Sequence, residues 1–502
     1  MNKIHKYLTR SLAVMSVTSL LGCEPAGRYG HIKPNAPPPA PLLPPSEPEA
    51  WRKQQPVSGA SGQVNIPKPQ VRTLENGMSV YIIPRPSGIV SISVVIKQGA
   101  EAAAPGKSGL AALVARMLTE STRRRNPFQL AEAAENFGSS LQSNAQRDLL
   151  EVSLESLSSD TGRAIELLSE VVREPAFSSQ DFERVRSQWL DDLLAERQSP
   201  GALAALVGVR ALYGTNRGAP VNGGVSDIKR LLLSDLQGWH SSHVVPRNAA
   251  LIAVGPVEAD SIFNVAKRAF GNWHDVPPQN SLAQYSATPH SSSNVIVVNR
   301  KDAVQSALFV AQPFPRRLES GHEARLLLND IFGGLFTSRI NMNLREAHAY
   351  TYGAHSSAVA NRNFGVFIVQ TNVRTDVTAS SLKELLSELA SISSPKTNRP
   401  ITEDELTRAR ADLTHRLGSR LEQNRYLVND LETIFAQGLG DDYFAKLPDT
   451  YTHLNSAEVT KQALLIEPDK CTVVIVGDQE KIEPSLIQAG FKVTSPESEW
   501  LD

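Results

Sequence analysis

Val245-Pro246-Arg247-Asn248-Ala249-Ala250-Leu251-Ile252-Ala253-Val254-Gly255 returns later in the chain as Glu467-Pro468-Asp469-Lys470-Cys471-Thr472-Val473-Val474-Ile475-Val476-Gly477. In both copies a proline precedes a glycine by nine residues, and an apolar run of strand character lies between them. Upstream, Asp181-Phe182-Glu183-Arg184-Val185-Arg186 and Glu405-Leu406-Thr407-Arg408-Ala409-Arg410 share the spacing Arg, aliphatic, Arg. The first pattern recurs after 222 residues and the second after 224. Two unrelated patterns repeating at nearly one offset identify a tandem duplication.

The flanking sequence fills out each copy. Strand-like runs open them, Met78–Pro84 and Val90–Lys97 in the first, Asn294–Asn299 and Gln305–Gln312 in the second. Apolar residues at helical spacing then predict helices over Lys107–Glu120 and Glu323–Glu346. Further strands are predicted at Glu151–Leu157 and Gly365–Thr371, and helices at Thr161–Val172 and Ser380–Ile392. An antiparallel-looking sheet with helices in each copy gives an α+β class. The polar, Ser-rich stretch Ala287–Val297 is the expected joint, so the domains read as 65–286 and 287–502.

The chain has 502 residues, 41% hydrophobic and 21% charged, which excludes a mostly disordered or fibrous protein. Lys and Arg number 51 against 52 Asp and Glu, a net charge of −1, so nothing points to a nucleic-acid partner. Residues 1–22 read as an export signal, with Lys3, Lys6 and Arg10 ahead of the apolar run Ser11–Leu21. A helix of that length rises about 16 Å, half of what a membrane span needs. The run ends Leu20-Leu21-Gly22-Cys23, similar to the lipobox of bacterial lipoproteins. That similarity implies cleavage before Cys23, lipidation of its sulfur, and, with Glu24 following, an outer-membrane anchor facing the periplasm. Pro34–Pro48 holds eight prolines in fifteen residues, a polyproline spacer of about 45 Å within the 23–64 linker. With Cys23 lipidated, Cys471 remains; in its apolar run it reads as inert packing.

The second copy carries Gly333-Gly334-Leu335-Phe336-Thr337-Ser338-Arg339-Ile340, and then Leu344-Arg345-Glu346-Ala347-His348-Ala349-Tyr350-Thr351-Tyr352-Gly353. This resembles the C-terminal domain of the pitrilysin/insulinase family, the inverted-motif zinc peptidases. The family pattern is a Gly-Gly helix start, Ser-Arg-Leu, Leu-Arg-Glu, and a Tyr seven residues beyond that Arg. The resemblance extends over nearly all of residues 65–500, since the family unit is itself a tandem α+β pair forming a clamshell. It implies that Arg345 and Tyr352 are substrate-binding residues. Arg offers fixed donors to a peptide carbonyl, and a Tyr hydroxyl can stabilise the oxyanion that forms there. Read from the residues alone, Arg345 would pair with a nearby carboxylate and Tyr352 would pack. Ala349 departs from the Gly of many members, which bears on the local turn.

Active members of the family bind zinc through His-x-x-Glu-His on the first helix of the first copy, in the context Gly-Leu-Ala-His-x-x-Glu-His-Met. Here that context reads Gly109-Leu110-Ala111-Ala112-Leu113-Val114-Ala115-Arg116-Met117. Ala112 and Arg116 stand at the two His positions and Ala115 at the general-base Glu. None of them can ligate zinc, and a guanidinium repels it. Asp191 and Asp192 lie near the family's third ligand and read as a solvated helix face, and Arg123–Arg125 reads as a solvated charge run at a helix end. His240 and His243 read as a surface pair. No metal site and no cofactor are therefore expected on this chain, zinc being expected in a partner subunit. The resemblance implies a non-catalytic, substrate-binding subunit of a heteromeric zinc metallopeptidase, with a zinc-bearing subunit of the same family and a peptide substrate as partners. The alternative is an envelope scaffold or assembly protein that kept the fold without a proteolytic role.

Overall fold

The computed structural model describes residues 64–502 apart from 87, 275–292, 395, 397 and 398. The export signal, Cys23, the proline-rich linker and residues 287–292 of the expected joint lie outside the described residues.

The two copies of the Pro–Gly pattern build the same local structure. Pro246–Asn248 and Pro468–Lys470 each form a single 3-10 turn, and the apolar runs behind them are strands Ala249–Gly255 and Thr472–Gly477. Every residue of both strands is buried. An unbroken apolar run is what a strand covered on both faces requires.

In the first half, β1 (Gln70–Thr73), β2 (Ser79–Pro84), β3 (Val90–Ile96), β4 (Gln142–Ala145), β5 (Leu150–Ser156) and β6 (Ala249–Gly255) form one sheet in the order β1-β2-β6-β3-β5-β4. Its own helices include α1 (Leu110–Leu118), α2 (Thr161–Arg173), α3 (Ser179–Glu196), α4 (Pro200–Arg217) and α5 (Ala259–Phe270). In the second half, β7 (Asn294–Asn299), β8 (Gln305–Pro313), β9 (Thr351–Ala360), β10 (Gly365–Arg374), β11 (Thr472–Gly477) and β12 (Lys492–Thr494) follow the order β12-β7-β11-β8-β10-β9. Its helices include α6 (His322–Asn329), α7 (Thr378–Ser393), α8 (Glu403–Ser419) and α9 (Asn424–Gln437). Five strands correspond one to one between the sheets. The sixth is supplied by the start of the first half, antiparallel, and by the end of the second, parallel. This is a duplicated α+β architecture.

The repeated arginines do one job twice. Arg186 donates to the carbonyl of Leu231 at 3.0 Å, and Arg410 to that of Leu454 at 2.6 Å, each closing the end of a neighbouring helix. Gly255 and Gly477 end β6 and β11 where the backbone runs close to the next strand. A Cβ on Gly255 would sit 2.8 Å from Val90 Cα, and one on Gly477 2.7 Å from Ser306 Oγ.

The halves of the clamshell interlock. One face of each sheet rests on its own helices, and the other is covered by a helix from the opposite half. Helix α4, started by the Ser199 cap and Pro200, lays Ala204, Val207, Ala211 and Leu212 on Phe309, Val366, Val474 and Val476. Gly208 lies flat against the Phe309 ring, where no side chain fits. Helix α9 in turn sets Leu427, Val428, Leu431 and Ile434 into a core with Tyr81, Ile83, Val95, Ile252 and Val254. Polar ties reinforce the joint: Arg85 donates to the Leu421 carbonyl at 2.7 Å, Arg362 to the Lys97 carbonyl at 2.8 Å, and Asp502 accepts from Ser226 at 2.7 Å. The described residues from 64 on form one compact unit.

Two readings of the sequence are corrected. Glu323–Glu346 is not one helix: α6 ends at Asn329, a wide turn covers Asp330–Gly334, and helix resumes at Arg339. Gly333 lies under β9, where a Cβ would stand 2.5 Å from Ser356 Oγ, and Leu335 is extended at ψ 156°. The Gly-Gly pair therefore ends a helix, and Ser338 starts the next. The predicted strand Asn294–Asn299 is β7, paired with β11, so the joint read over Ala287–Val297 does not extend past Ser293.

Candidate functional site

Helix α1 carries the altered motif. Gly109 caps it in the left-handed region at φ +82°, and a Cβ there would meet Ile228 Cδ1 at 2.6 Å and the Asn222 carbonyl at 2.7 Å. The surviving Gly-Leu-Ala context thus has a packing reason. Ala112 and Ala115 are buried in the first-half core with Leu113, Val114 and Met117. Arg116 is exposed, and its guanidinium lies 5.5 Å from the centre of the Trp189 ring on α3. Asp191 and Asp192, on the same helix as Trp189, are exposed as a solvated face requires.

Zinc needs deprotonated N, O or S donors converging from several positions. Methyl groups at 112 and 115 supply none, and the Arg116 charge opposes the ion. Among the described residues no three His, Cys, Asp or Glu side chains come together in a way that could hold a metal. The residues present do not fit zinc. Cys471 is 2% exposed, and burial pushes its thiol up to about 12, which makes it packing. His240 and His243 are not the surface pair expected. Both are half-buried, bonded to the Val172 and Trp239 carbonyls at 2.8 and 2.9 Å, and burial depresses His240 to about 4.

Arg345 and Tyr352 lie on the far side of the Gly-Gly break. Arg345 is in the helical turn Met342–Ala347, and Tyr352 is the second residue of β9. The Arg345 guanidinium lies 4.4 Å from the centre of the Phe336 ring and 3.5 Å from the Glu346 carboxylate. Tyr352 is 93% exposed, and its hydroxyl has no hydrogen-bond partner among the described residues. It does not pack. β9 is the last strand of its sheet, so one side of its backbone is unpaired there.

The chain passes from Arg345 to Tyr352 through Ala349, which sits at φ +52°. Its N–H donates to the Arg345 carbonyl at 3.1 Å and the next N–H, of Tyr350, to that of Leu344 at 2.8 Å. A Cβ in the left-handed region costs about 1–2 kcal/mol, which explains why glycine suits this position. Ala349→Gly is expected to stabilise the protein by about 1 kcal/mol in urea unfolding. No gain would mean that the turn relaxes in solution.

Sequence reasoning missed the residues that hold this segment in place. Arg339 is buried and forks onto Glu405 at 2.8 and 2.9 Å, with further bonds to the Arg399 and Pro400 carbonyls at 2.9 and 3.0 Å. Burial works to raise the Glu405 carboxyl, but the Arg339 fork and the Thr402 N–H outweigh it and hold it below the usual range. Asn341 donates to the Phe336 carbonyl at 2.6 Å and accepts from the Ala354 N–H at 3.3 Å, tying the helix to β9. Their signal was present in Ser338-Arg339-Ile340-Asn341, but nothing local announces that Glu405 lies opposite.

The chain matches known proteins over both halves. Residues 80–207 match the family described as Insulinase (Peptidase family M16), and residues 231–413 match Peptidase M16 inactive domain. Zinc protease PqqE of Helicobacter pylori is 23% identical over 49% of this chain; the match spans 57% of that relative. An uncharacterized zinc protease of Rickettsia bellii is 20% identical over 81% of this chain and 97% of its own length. Among solved structures, a peptidase M16 inactive domain from Pseudomonas fluorescens superposes with a TM-score of 0.74 at 23% identity, covering 82% of this chain and 98% of that one. A protease from Helicobacter pylori gives 0.75 at 18% identity, with 82% and 100% coverage. At these identities the structural likeness speaks for the fold.

Proposed function

The chain belongs to the insulinase family, peptidase family M16, and on that footing we propose that it is a non-catalytic, substrate-binding subunit of a heteromeric zinc metallopeptidase. The observation that carries this is a contrast between two places. At the metal motif stand Ala112, Ala115 and Arg116, whereas Arg345 and Tyr352 are retained, with Tyr352 exposed and unpartnered on an edge strand. A phenol held out into solvent is idle in this chain alone and useful to a neighbour. The neighbour is a zinc-bearing relative, whose metal activates water while Arg345 holds the peptide carbonyl and Tyr352 donates to the developing oxyanion. The extended peptide adds to a free sheet edge. Lipid on Cys23 holds the protein at the outer membrane facing the periplasm, and Cys23→Ala is expected to move it from the membrane to the soluble periplasmic fraction.

The test is reconstitution with a zinc-bearing relative. The mixture is expected to cleave peptide far faster than the relative alone, and Tyr352→Phe to lower that cleavage about 100-fold, the usual effect of losing one oxyanion donor. Equal rates with and without this chain would end the subunit reading. The other reading, an envelope scaffold, draws on the interlocked halves, whose packing relies on neither Arg345 nor Tyr352. A scaffold tolerates Arg345→Ala with Tyr352→Phe, whereas a peptidase subunit loses function.

A further inference from the structure

The position vacated by the metal ligands is not blank. Arg116 projects from α1 into solvent at the place of the second ligand. Its guanidinium lies 5.5 Å from the centre of the Trp189 ring, whose own Nε1–H donates to the Asn222 carbonyl at 2.9 Å and so holds the indole in place. Arg116 has no ion-pair partner among the described residues. The nearest carboxylates along the chain are engaged or point elsewhere: Glu120 pairs with Arg184, while Asp191 and Asp192 are exposed without approaching Arg116 within ion-pair distance. The methyl groups of Ala112 and Ala115 are sunk in the core and cannot shield it.

We propose that Arg116 has converted the former metal position into a carboxylate receptor, at which the first half captures peptides by a carboxylate and leaves them uncut. The exposed guanidinium beside the Trp189 ring has no carboxylate paired with it among the described residues, and its fork of N–H donors matches the two oxygens of a carboxylate. The cation–π contact with the anchored indole restrains the side chain, which lowers the cost of ordering it on binding. A metal would polarise the scissile carbonyl; a guanidinium here holds the peptide without activating water. This deepens the substrate-binding reading, on which it rests for the peptide nature of the ligand. The carboxylate belongs either to the peptide's C-terminus or to an acidic side chain.

The experiment uses the lipid-free mature chain alone and short labelled peptides of Ala and Gly. One pair differs only in a C-terminal acid or amide, and a second, amidated pair only in a central Glu or Gln. Fluorescence anisotropy is expected to show the acid of at least one pair binding about tenfold or more tighter than its neutral partner. Whichever pair shows the preference identifies the source of the carboxylate. Arg116→Ala should reduce the acid to the affinity of the neutral peptide. Binding should perturb Trp189 emission, a change lost in Trp189→Phe. Equal binding within both pairs, or a preference that survives Arg116→Ala, overturns the proposal. No zinc-bearing relative is present, so a failure here and a failure of the subunit reading are separate results.

Discussion

Arg339→Ala is expected to destabilise the protein by about 3–5 kcal/mol, the usual cost of removing one partner of a buried pair. The guanidinium is 5% exposed and makes four hydrogen bonds, two to Glu405 and one each to the Arg399 and Pro400 carbonyls. Without it two carbonyls and one half-buried carboxylate lose their donors together. The loss extends to α8, because Glu405 also accepts from the Thr402 N–H in the capping box that starts that helix. Arg339→Lys should recover little, since an ammonium cannot reproduce the fork. Urea unfolding measures the effect; a loss below about 1 kcal/mol for Arg339→Ala would show that the segment leading to Arg345 and Tyr352 is held by packing alone.

The second large effect is on pH dependence. Glu432 on α9 is 2% exposed and lies against Glu151 on β5, across the junction of the halves. Arg425 pairs with Glu151 and stands 3.7 Å from Glu432. One guanidinium faces two carboxyls, so burial, and then the Glu151 charge, push Glu432 from its ordinary 4.5 up to about 8. Between those values the folded chain holds a proton that the unfolded chain has released. Stability therefore falls as pH rises through that window, by on the order of 1 kcal/mol per unit, and is constant below it. Asp330, raised to about 7 chiefly by burial, and Asp430, raised to about 6 by the same cause, act in the same direction over its lower part, whereas His240 and His322, depressed by burial, oppose them below about pH 6.5. Glu432→Gln needs no proton and should flatten most of the slope. Thermal unfolding between about pH 6.5 and 8.5, above the ordinary histidine range, measures this. A wild-type stability that rises across that range, or a Glu432→Gln slope equal to that of wild type, contradicts the coupling.

What the sequence made legible was what repeats and what is local. The nine-residue Pro–Gly spacing located β6 and β11 because a central strand buried on both faces must be apolar throughout, and short apolar runs marked β2, β7 and β8 to within a residue or two. The single helix read over Glu323–Glu346 failed because its break depends on a distant strand: Gly333 is needed where β9 passes over it. The same holds for the Arg339–Glu405 fork and for Glu432 against Glu151, partners 66 and 281 residues apart whose pairing only the fold reveals. The altered metal motif was legible outright, because three side chains without donor capacity exclude the chemistry whatever surrounds them. Structure adds why its frame survived. Gly109 caps α1 in the left-handed region at a crowded contact, whereas residues 112, 115 and 116 were free to change once no metal had to be held.

The central claim is that this chain keeps a peptidase fold without the means to hold the peptidase metal. The most direct measurement is the metal content of the purified mature chain after exposure to zinc and desalting, read together with its cleavage of an unstructured peptide with and without chelator. The account predicts substoichiometric metal and no chelator-sensitive cleavage. One zinc per chain, with cleavage that a chelator abolishes and zinc restores, would contradict it.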